Sequence, residues 1–192
     1  GDWSSDVCSS DLDSKKRIPL SDAEKIAKPI LQALHKIKGI DEVSPAGSLR
    51  RKKDTIGDID ILCITKISPR KKIIETIKRI PFIKQIIAAG TTKISFSIHN
   101  SPMQVDIRLV NPDQSGSALL YFTGSKEHNI QLRSLAKQKG FKLNEYGVFN
   151  EKTGEKVAGK TEEEIYQFFG YYFIPPEHRL GKNELYEYRI NG

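Results

Sequence analysis

The sequence lacks any apolar run approaching the roughly 20 residues that a membrane-spanning helix needs, and its start has neither the basic region nor the apolar stretch of a signal peptide. Internal repeats and low-complexity tracts are also missing, which excludes repeat architectures. We therefore expect a globular protein without a membrane partner, located in the cytoplasm or the nucleoid.

Cysteine is scarce, because the chain holds only Cys8 and Cys63. Cys63 lies inside an apolar run, where a small buried thiol is expected rather than a disulfide, a metal ligand or a nucleophile. Cys8 belongs to residues 1–12, which have no periodic apolar face and whose order, DWSSDVCSSD, is the translation of a common short-read sequencing adapter. We therefore interpret residues 1–12 as an adapter-derived artefact and exclude them from fold prediction.

The chain carries a formal charge of +7, from 31 Lys and Arg against 24 Asp and Glu. Residues 1–12 contain acidic charges and no basic ones, so the remaining body is more basic still. A basic chain suits a polyanionic partner such as nucleic acid, but many soluble proteins share this charge. The charge alone therefore does not identify the binding partner.

Apolar residues recur at helical and strand spacings along the chain, which predicts a mixed α/β fold. Capping boxes at Ser21 with Glu24 and at Thr161 with Glu164 mark two helix starts. The predicted helices cover about 21–36, 70–80, 117–122, 126–139 and 162–170, and the predicted strands cover 43–46, 58–64, 83–89, 93–98, 103–110 and 141–149, with a hairpin turn at 152–154.

A domain boundary is predicted near residues 111–117, where Asn, Pro, Gly and Ser cluster. It separates residues 13–112, which hold most of the predicted strands, from a smaller α+β part at residues 113–192. At 192 residues, the chain is long enough for one sizeable domain or two small ones.

The sharpest local feature is the alternation of acidic and aliphatic residues in Asp58-Ile59-Asp60-Ile61. Alternate side chains of a strand project from opposite faces, so both carboxylates share one face while the isoleucines enter the core. Hard divalent ions such as Mg²⁺ take oxygen ligands, and a carboxylate pair on a strand can hold two of them for phosphoryl transfer. The alternative is a solvated strand face, which is what most such motifs are.

A second alternating strand places Gln104, Asp106 and Arg108 on one face, opposite aliphatic residues. Asp106 could be a third carboxylate that accepts the proton of an attacking hydroxyl or binds the second ion. The alternative is a surface acid paired with Arg108 along the strand. Asp106 therefore supports a metal site only in combination with Asp58 and Asp60.

The third feature is the segment Gly47-Ser48-Leu49-Arg50-Arg51, upstream of the acidic strand. Glycine permits close backbone approach, amides and a serine hydroxyl can donate to phosphate oxygens, and guanidinium binds them bidentately. The segment is typical of a triphosphate cradle, although a turn into a basic, solvated helix is the alternative. Taken in order, the three features indicate a nucleotidyltransferase.

At these residues the chain resembles the family X DNA polymerases, the DNA polymerase beta-like group. The segments that carry the resemblance are AGSLRRKKDTIGDIDIL, QVDIRLV, LLYFTGSKEHNIQLRSLAKQKGFKLNEYGVF and FIPPEHR, within residues 18–179. The resemblance implies a palm with a mixed sheet followed by a small α+β subdomain. It also implies template-dependent transfer from a dNTP to a primer 3′-hydroxyl in gap-filling repair, by a monomer on gapped or primer-template DNA.

The resemblance further implies roles for the acidic and glycine-containing segments. Asp58, Asp60 and Asp106 would bind two Mg²⁺ ions, for which Mn²⁺ could substitute, with Asp106 nearest the primer hydroxyl. The triphosphate would be held in the cradle, and the glycine before the acidic strand would let that strand pack closely; these residues are Gly47, Ser48, Arg51 and Gly57.

The smaller part would contact the nucleotide and the DNA. Tyr121, Phe122 and Gly124 match the family's sugar pocket, although core packing is the alternative for both aromatic rings. The remaining matches are Lys126 over the incoming base, Asn129 in its minor groove, Arg133 on the template strand and Tyr146 beside the nascent pair. Apart from the resemblance, the cationic Lys137, Lys139 and Lys142 could contact template phosphates. The alternative for these three lysines is that they only keep a helix soluble.

Two histidines, His99 and His128, lie among polar residues, so we expect both to be solvated and assign neither to the metal ions. Two competing functions stay open at this stage. One is a nucleotidyltransferase that modifies RNA, protein or a small molecule, and the other is a DNA-binding module without turnover.

Overall fold

The computed structural model describes residues 16–66 and 70–191, so the adapter-like segment lies outside the described residues. Its main element is a five-stranded sheet whose order is β2 (Ile40–Ala46), β4 (Asp58–Thr65), β7 (Gln104–Val110), β6 (Lys93–Ile98) and β5 (Ile83–Ala89). Strands β4 and β7 are parallel and the other neighbours are antiparallel, which makes the sheet mixed as predicted.

Helices α1 (Leu20–His35) and α3 (Arg70–Ile77) contribute to the same hydrophobic core as the sheet. The core takes the aliphatic residues of β4 and β7, including Ile59, Ile61 and Ile107. Because strand side chains alternate, the acidic residues of these strands lie on the opposite face. Cys63 is buried, and burial raises the pKa of its thiol to about 12, as expected for an inert core residue.

Three short elements complete this part of the chain. They are β1 (Ile18–Pro19), β3 (Thr55–Ile56) and the one-turn helix α2 (Gly47–Arg50), and β1 pairs with β3 in a two-stranded sheet. Helix α1 starts at Leu20 after Pro19 and has no side-chain cap, so the predicted capping box at Ser21 is wrong. The fixed backbone angle of Pro19 suits a position just before a helix.

Both helices and strands follow the predicted boundary, as expected for a small α+β part, and a second, smaller apolar core lies among them. A short 3₁₀ turn at Pro112–Gln114 leads into this part. Its elements are α4 (Ser115–Thr123), α5 (Lys126–Gln138), β8 (Phe141–Asn144), β9 (Gly147–Asn150), β10 (Lys156–Ala158), α6 (Glu162–Phe168) and α7 (Glu184–Glu187). A third apolar cluster, which includes Leu62 and Phe122, joins α4 to the sheet.

The segment 141–149, predicted as one strand, is in fact a hairpin of β8 and β9. The side chain of Asn144 accepts a hydrogen bond from the amide of Tyr146, and Gly147 adopts φ +151°, a conformation that L side chains rarely take. These two residues turn the chain after four residues of strand. The predicted turn at 152–154 is confirmed, because it joins β9 to β10.

His128 is completely buried, so its predicted solvation is wrong, whereas His99 is exposed as expected. The Nδ1 atom of His128 lies 2.7 Å from Glu184 Oε2, and its Nε2 atom lies 2.9 Å from the Tyr166 hydroxyl. Since a carboxylate only accepts, Nδ1 carries a proton, and Nε2 of a neutral ring would then accept from the tyrosine. Burial lowers the pKa of His128 despite the hydrogen bond to Glu184, in keeping with a neutral ring.

Candidate active site

Three carboxylates lie on the sheet face opposite the aliphatic core. Strand register pairs Asp58 with Gln104 and Asp60 with Asp106 across the parallel strands β4 and β7. All three acids are partly buried, while the residues between them are fully buried. The register therefore sets Asp60 beside Asp106 on neighbouring strands, although they are far apart in sequence.

The Asp106 carboxylate is held by two side chains on the same face. Its Oδ1 atom accepts a hydrogen bond from Ser95 Oγ at 2.5 Å and one from Gln104 Nε2 at 3.0 Å. Arg108 instead stacks over the Phe122 ring, with its guanidinium carbon 4.2 Å from the ring centre. The sequence left open that Asp106 and Arg108 form a surface ion pair. In the structure, each of them has other partners.

The donor chemistry of this face fits hard divalent ions, which take carboxylate oxygens as ligands. Within residues 16–66 and 70–191, however, no group of three or more His, Cys, Asp or Glu side chains lies close enough together to hold a metal ion. Like-charged carboxylates repel one another, and one oxygen of Asp106, Oδ1, accepts hydrogen bonds from Ser95 and Gln104. Of the three predicted metal ligands, Asp60 and Asp106 are the two that lie side by side on neighbouring strands.

Helix α2 packs against this acidic face through Gly47. A Cβ atom built on Gly47 would lie 2.3 Å from Asp60 Oδ2, and its backbone adopts φ +59°. Both facts favour glycine at this position. The first turn of α2, with Ser48 partly buried, therefore lies directly beside the carboxylate.

Arg51 follows α2 and connects the cradle to α4. Its Nη1 atom donates to the Thr123 carbonyl at 2.5 Å. Burial lowers the pKa of Arg51, and the charge of Asp60 opposes this effect, which places the guanidinium near the carboxylates. An arginine keeps its charge under such a shift because its ordinary pKa is so high.

Arg17 is a cationic residue beside the cradle that the sequence did not reveal. Its Nε and Nη2 atoms donate to the hydroxyl and carbonyl of Thr55 at 2.9 and 2.7 Å. A Cβ atom built on Gly57 would lie 2.8 Å from Arg17 Nη1. The absence of a side chain at Gly57 therefore leaves room for the Arg17 guanidinium next to the acidic strand. From the sequence, we expect Gly57 only to allow close packing of the strand.

The residues predicted for the sugar of the nucleotide, together with Asn129, lie at the junction of α4 and α5. Phe122 is buried, Tyr121 is half-buried, and their rings meet edge to face at 5.2 Å between centroids. Gly124 ends α4 with φ +73°, and Asn129 Nδ2 donates to the Tyr121 carbonyl at 2.8 Å. A small pocket opens here, lined by residues that include Tyr121, Asn129 and Arg133.

Apart from Asn129, which is half-buried, the residues predicted to contact the base and the DNA are exposed on the smaller part. Tyr146 is 55% exposed at the tip of the β8–β9 hairpin. The other exposed members are Lys126, Arg133, Lys137 and Lys142. Lys139 is also exposed but donates to the Phe169 carbonyl at 3.2 Å, which gives it a structural contact as well.

A buried ion network joins the cradle to the smaller part, and sequence reasoning missed it. Arg50 Nη1 and Nη2 donate to Glu162 Oε2 and Oε1 at 2.9 and 2.6 Å, and Arg179 Nη1 donates to Oε2 at 2.7 Å. Burial alone would raise the pKa of Glu162, but the two arginines outweigh it and hold this pKa below its ordinary value. Arg50 also donates to Thr123 Oγ1, so α2 is tied to α4 and α6 together.

Comparison with protein families gives two matches, one after the other along the chain. The DNA polymerase beta palm model matches residues 17–100, and the DNA polymerase beta thumb model matches residues 118–180. The unmatched interval contains β7 with Asp106 and the turn that leads into α4. Within the part of the chain that the structure describes, no helix is long and apolar enough to cross a membrane.

Comparison with individual proteins points the same way. The chain is 38% identical over 174 residues to the DNA polymerase/3′-5′ exonuclease PolX of Bacillus subtilis (strain 168), covering 90% of this chain and 30% of that protein's length. It is 31% identical over 140 residues to the Repair DNA polymerase X of African swine fever virus (isolate Warthog/Namibia/Wart80/1980), covering 70% of this chain and 79% of the viral protein.

Proposed function

Because the chain belongs to the family X DNA polymerases, we propose that it transfers dNMP from a dNTP to a primer 3′-hydroxyl under the direction of a template strand. The setting we propose is gap-filling DNA repair, which agrees with the name of the viral relative. The observation that carries the proposal is the register of Asp60 beside Asp106, with Gly47 of the cradle packed against Asp60.

Each part of the site has a proposed task in this reaction. Asp58, Asp60 and Asp106 would hold two Mg²⁺ ions, or Mn²⁺ in their place, which supply charge stabilisation at the attacking and leaving oxygens. The first turn of α2, with Ser48, and the guanidinium of Arg51 would bind the triphosphate, because amides, hydroxyls and arginine suit phosphate oxygens. Asp106 would orient the primer hydroxyl or accept its proton.

The smaller part would complete the nucleotide site. Tyr121, Phe122 and Gly124 would surround the sugar, and their tight backbone would disfavour a ribose 2′-hydroxyl. The base and the DNA would meet Asn129 and Arg133, which line the neighbouring pocket, and exposed side chains of the same part of the chain, namely Lys126, Tyr146, Lys137, Lys139 and Lys142. Salt-dependent, sequence-independent DNA affinity is expected from the cationic members of this set.

The proposal divides the chain into a palm at residues 13–112 and a nucleotide-closing subdomain at residues 113–192. Gapped or primer-template DNA would lie between them. The protein would act as a monomer in the cytoplasm or the nucleoid. The 3′-5′ exonuclease in the name of the Bacillus relative is not proposed for this chain, which spans 30% of that protein's length.

The test is single-nucleotide extension of a duplex with a one-nucleotide gap, in Mg²⁺, with each dNTP offered against each template base. Incorporation of the complementary nucleotide alone is the expected result. Incorporation that ignores the template would move the assignment to another kind of nucleotidyltransferase. Tight DNA binding without incorporation at any base would replace the proposal by a DNA-binding module.

Replacing Gly47 by Ala is expected to lower kcat/KM for this insertion by about 100-fold, because the added Cβ would displace Asp60 or α2 by a fraction of an ångström or more. The matched control is Gly154→Ala, since Gly154 has φ +75° but nothing within 4 Å of a new Cβ. Steady-state kinetics of both variants check the prediction. Equal losses in the two variants would assign the effect to backbone strain and not to the contact with Asp60.

A further inference from the structure

Ser95 is a buried hydroxyl on the polar face of the sheet. In β6 the residues Ile94, Phe96 and Ile98 belong to the core, so Ser95 and Ser97 face the acidic side. Ser95 is only 4% exposed although it lies on this face, because Asp106 lies directly opposite it in the β6–β7 register. Its hydroxyl donates to Asp106 Oδ1 at 2.5 Å.

The two hydrogen bonds to Asp106 converge on one oxygen. Ser95 reaches Oδ1 from the neighbouring strand β6, and Gln104 reaches it along β7. A carboxylate that accepts from two directions at one oxygen loses rotation about its Cβ–Cγ bond. The second oxygen, Oδ2, is then presented in one fixed direction.

Such a hydrogen bond has a known consequence where a carboxylate binds a metal ion. Partners of a ligating side chain fix its orientation, and their removal commonly costs 10- to 100-fold in metal affinity or activity. Ser97 offers a contrast on the same strand, because its hydroxyl lies 3.5 Å from the Gln85 carbonyl and points to the edge strand β5. Of these two serines, Ser95 is therefore the one whose hydroxyl is aimed at the reacting centre.

We propose that Ser95 is a positioning residue for polymerisation, which holds Asp106 by Oδ1 so that Oδ2 faces the metal ions and the primer hydroxyl. The inference rests on the proposed function. Ser95 does not touch the substrate in this scheme and acts only through Asp106. Loss of the hydroxyl should therefore affect the chemical step and metal binding, while leaving the triphosphate and DNA contacts in place.

The test compares the intact chain with Ser95→Ala, Ser95→Thr and the control Ser97→Ala. The first readout is single-turnover insertion at a one-nucleotide gap, which separates the maximal rate from the dNTP concentration at half-maximal rate. The second readout is Mn²⁺ binding to the enzyme with dideoxy-terminated gapped DNA and dNTP, followed by electron paramagnetic resonance. Thermal unfolding of each variant accompanies both measurements.

In Ser95→Ala we expect a 10- to 100-fold lower maximal rate and about tenfold weaker binding of at least one Mn²⁺ ion, with the half-maximal dNTP concentration within twofold of the parent. Ser95→Thr, which keeps a hydroxyl, should restore most of the rate, and Ser97→Ala should match the parent. A maximal rate and Mn²⁺ affinity within twofold of the parent in Ser95→Ala would overturn the inference. A lower melting temperature as the only change would also overturn it.

The two proposals fail separately in this design. If the parent chain extends the primer and Ser95→Ala does so equally well, only the role of Ser95 is lost. If the parent chain extends no primer, the polymerase assignment is lost, and the Mn²⁺ affinities of parent and Ser95→Ala still decide whether Ser95 orders a metal-binding carboxylate.

Discussion

Asp106→Asn is expected to lower the rate of templated insertion at a one-nucleotide gap by about 10³-fold or more, because the amide can neither accept the primer proton nor neutralise a cation. Asn keeps the size of Asp and keeps an oxygen that can accept from Ser95 and Gln104, the two donors at this site. Folding, DNA binding and dNTP binding should therefore change little. Single-turnover insertion, fluorescence titration with gapped DNA and thermal unfolding measure these three properties.

The control for this substitution is Asp41→Asn, because Asp41 is an exposed acid on β2 of the same sheet. The control should insert nucleotides at the parental rate. If Asp106→Asn kept more than a tenth of the parental rate, Asp106 would lie outside the reacting centre. A loss of DNA affinity as large as the loss of rate would instead indicate a damaged fold.

Strand alternation let the sequence predict which residues of the sheet face the core and which face the site. The sequence could not show that Asp60 and Asp106 are neighbours. That neighbourhood depends on parallel pairing of β4 with β7, in a sheet where other strands lie between them in sequence. Local periodicity carries no information about register between distant strands, so only the combination of motifs suggested the site.

The residues that sequence reasoning missed have distant partners. Ser95 acquires its role from Asp106 on the next strand, and Arg50 acquires its role from Glu162 on α6. Read alone, Ser95 looks like an ordinary strand serine, and the sequence places Arg50 in the triphosphate cradle without indicating its partner Glu162. The sequence predicts a solvated His128 for the same reason. Its partners, a tyrosine and a glutamate, come much later in the chain.

Glu162→Ala is expected to lower the free energy of unfolding by about 3–5 kcal/mol, the usual cost of removing one member of a buried ion network. Glu162 is 4% exposed and is the carboxylate shared by Arg50 and Arg179, of which Arg179 is completely buried. Without it, a buried guanidinium loses its counter-charge. Because domains of this size are stabilised by roughly 5–15 kcal/mol in total, the loss would be a large fraction.

Urea unfolding followed by circular dichroism measures this free energy, with Glu163→Ala as the control. Glu163 is exposed and shares the first turn of α6 with Glu162, so both variants lose the same interaction with the helix dipole. Glu163→Ala should cost less than about 1 kcal/mol, as expected for a surface charge. If the two variants were equally unstable, the loss would arise from the start of α6 and not from the arginine pair.

The pH dependence of the Glu162→Ala effect identifies the charge as its cause. The arginines hold the folded pKa of Glu162 below its ordinary value, despite a burial effect that would raise it. A depressed carboxyl pKa stabilises the fold above the unfolded pKa of about 4.3, and this contribution is lost as pH falls toward the folded pKa. The difference between parent and Glu162→Ala should therefore be constant from pH 7 to about 5 and narrow below about 4.3. A difference that stayed constant to the lowest pH at which the parent remains folded would mean that packing, rather than ionisation, gives Glu162 its effect on stability.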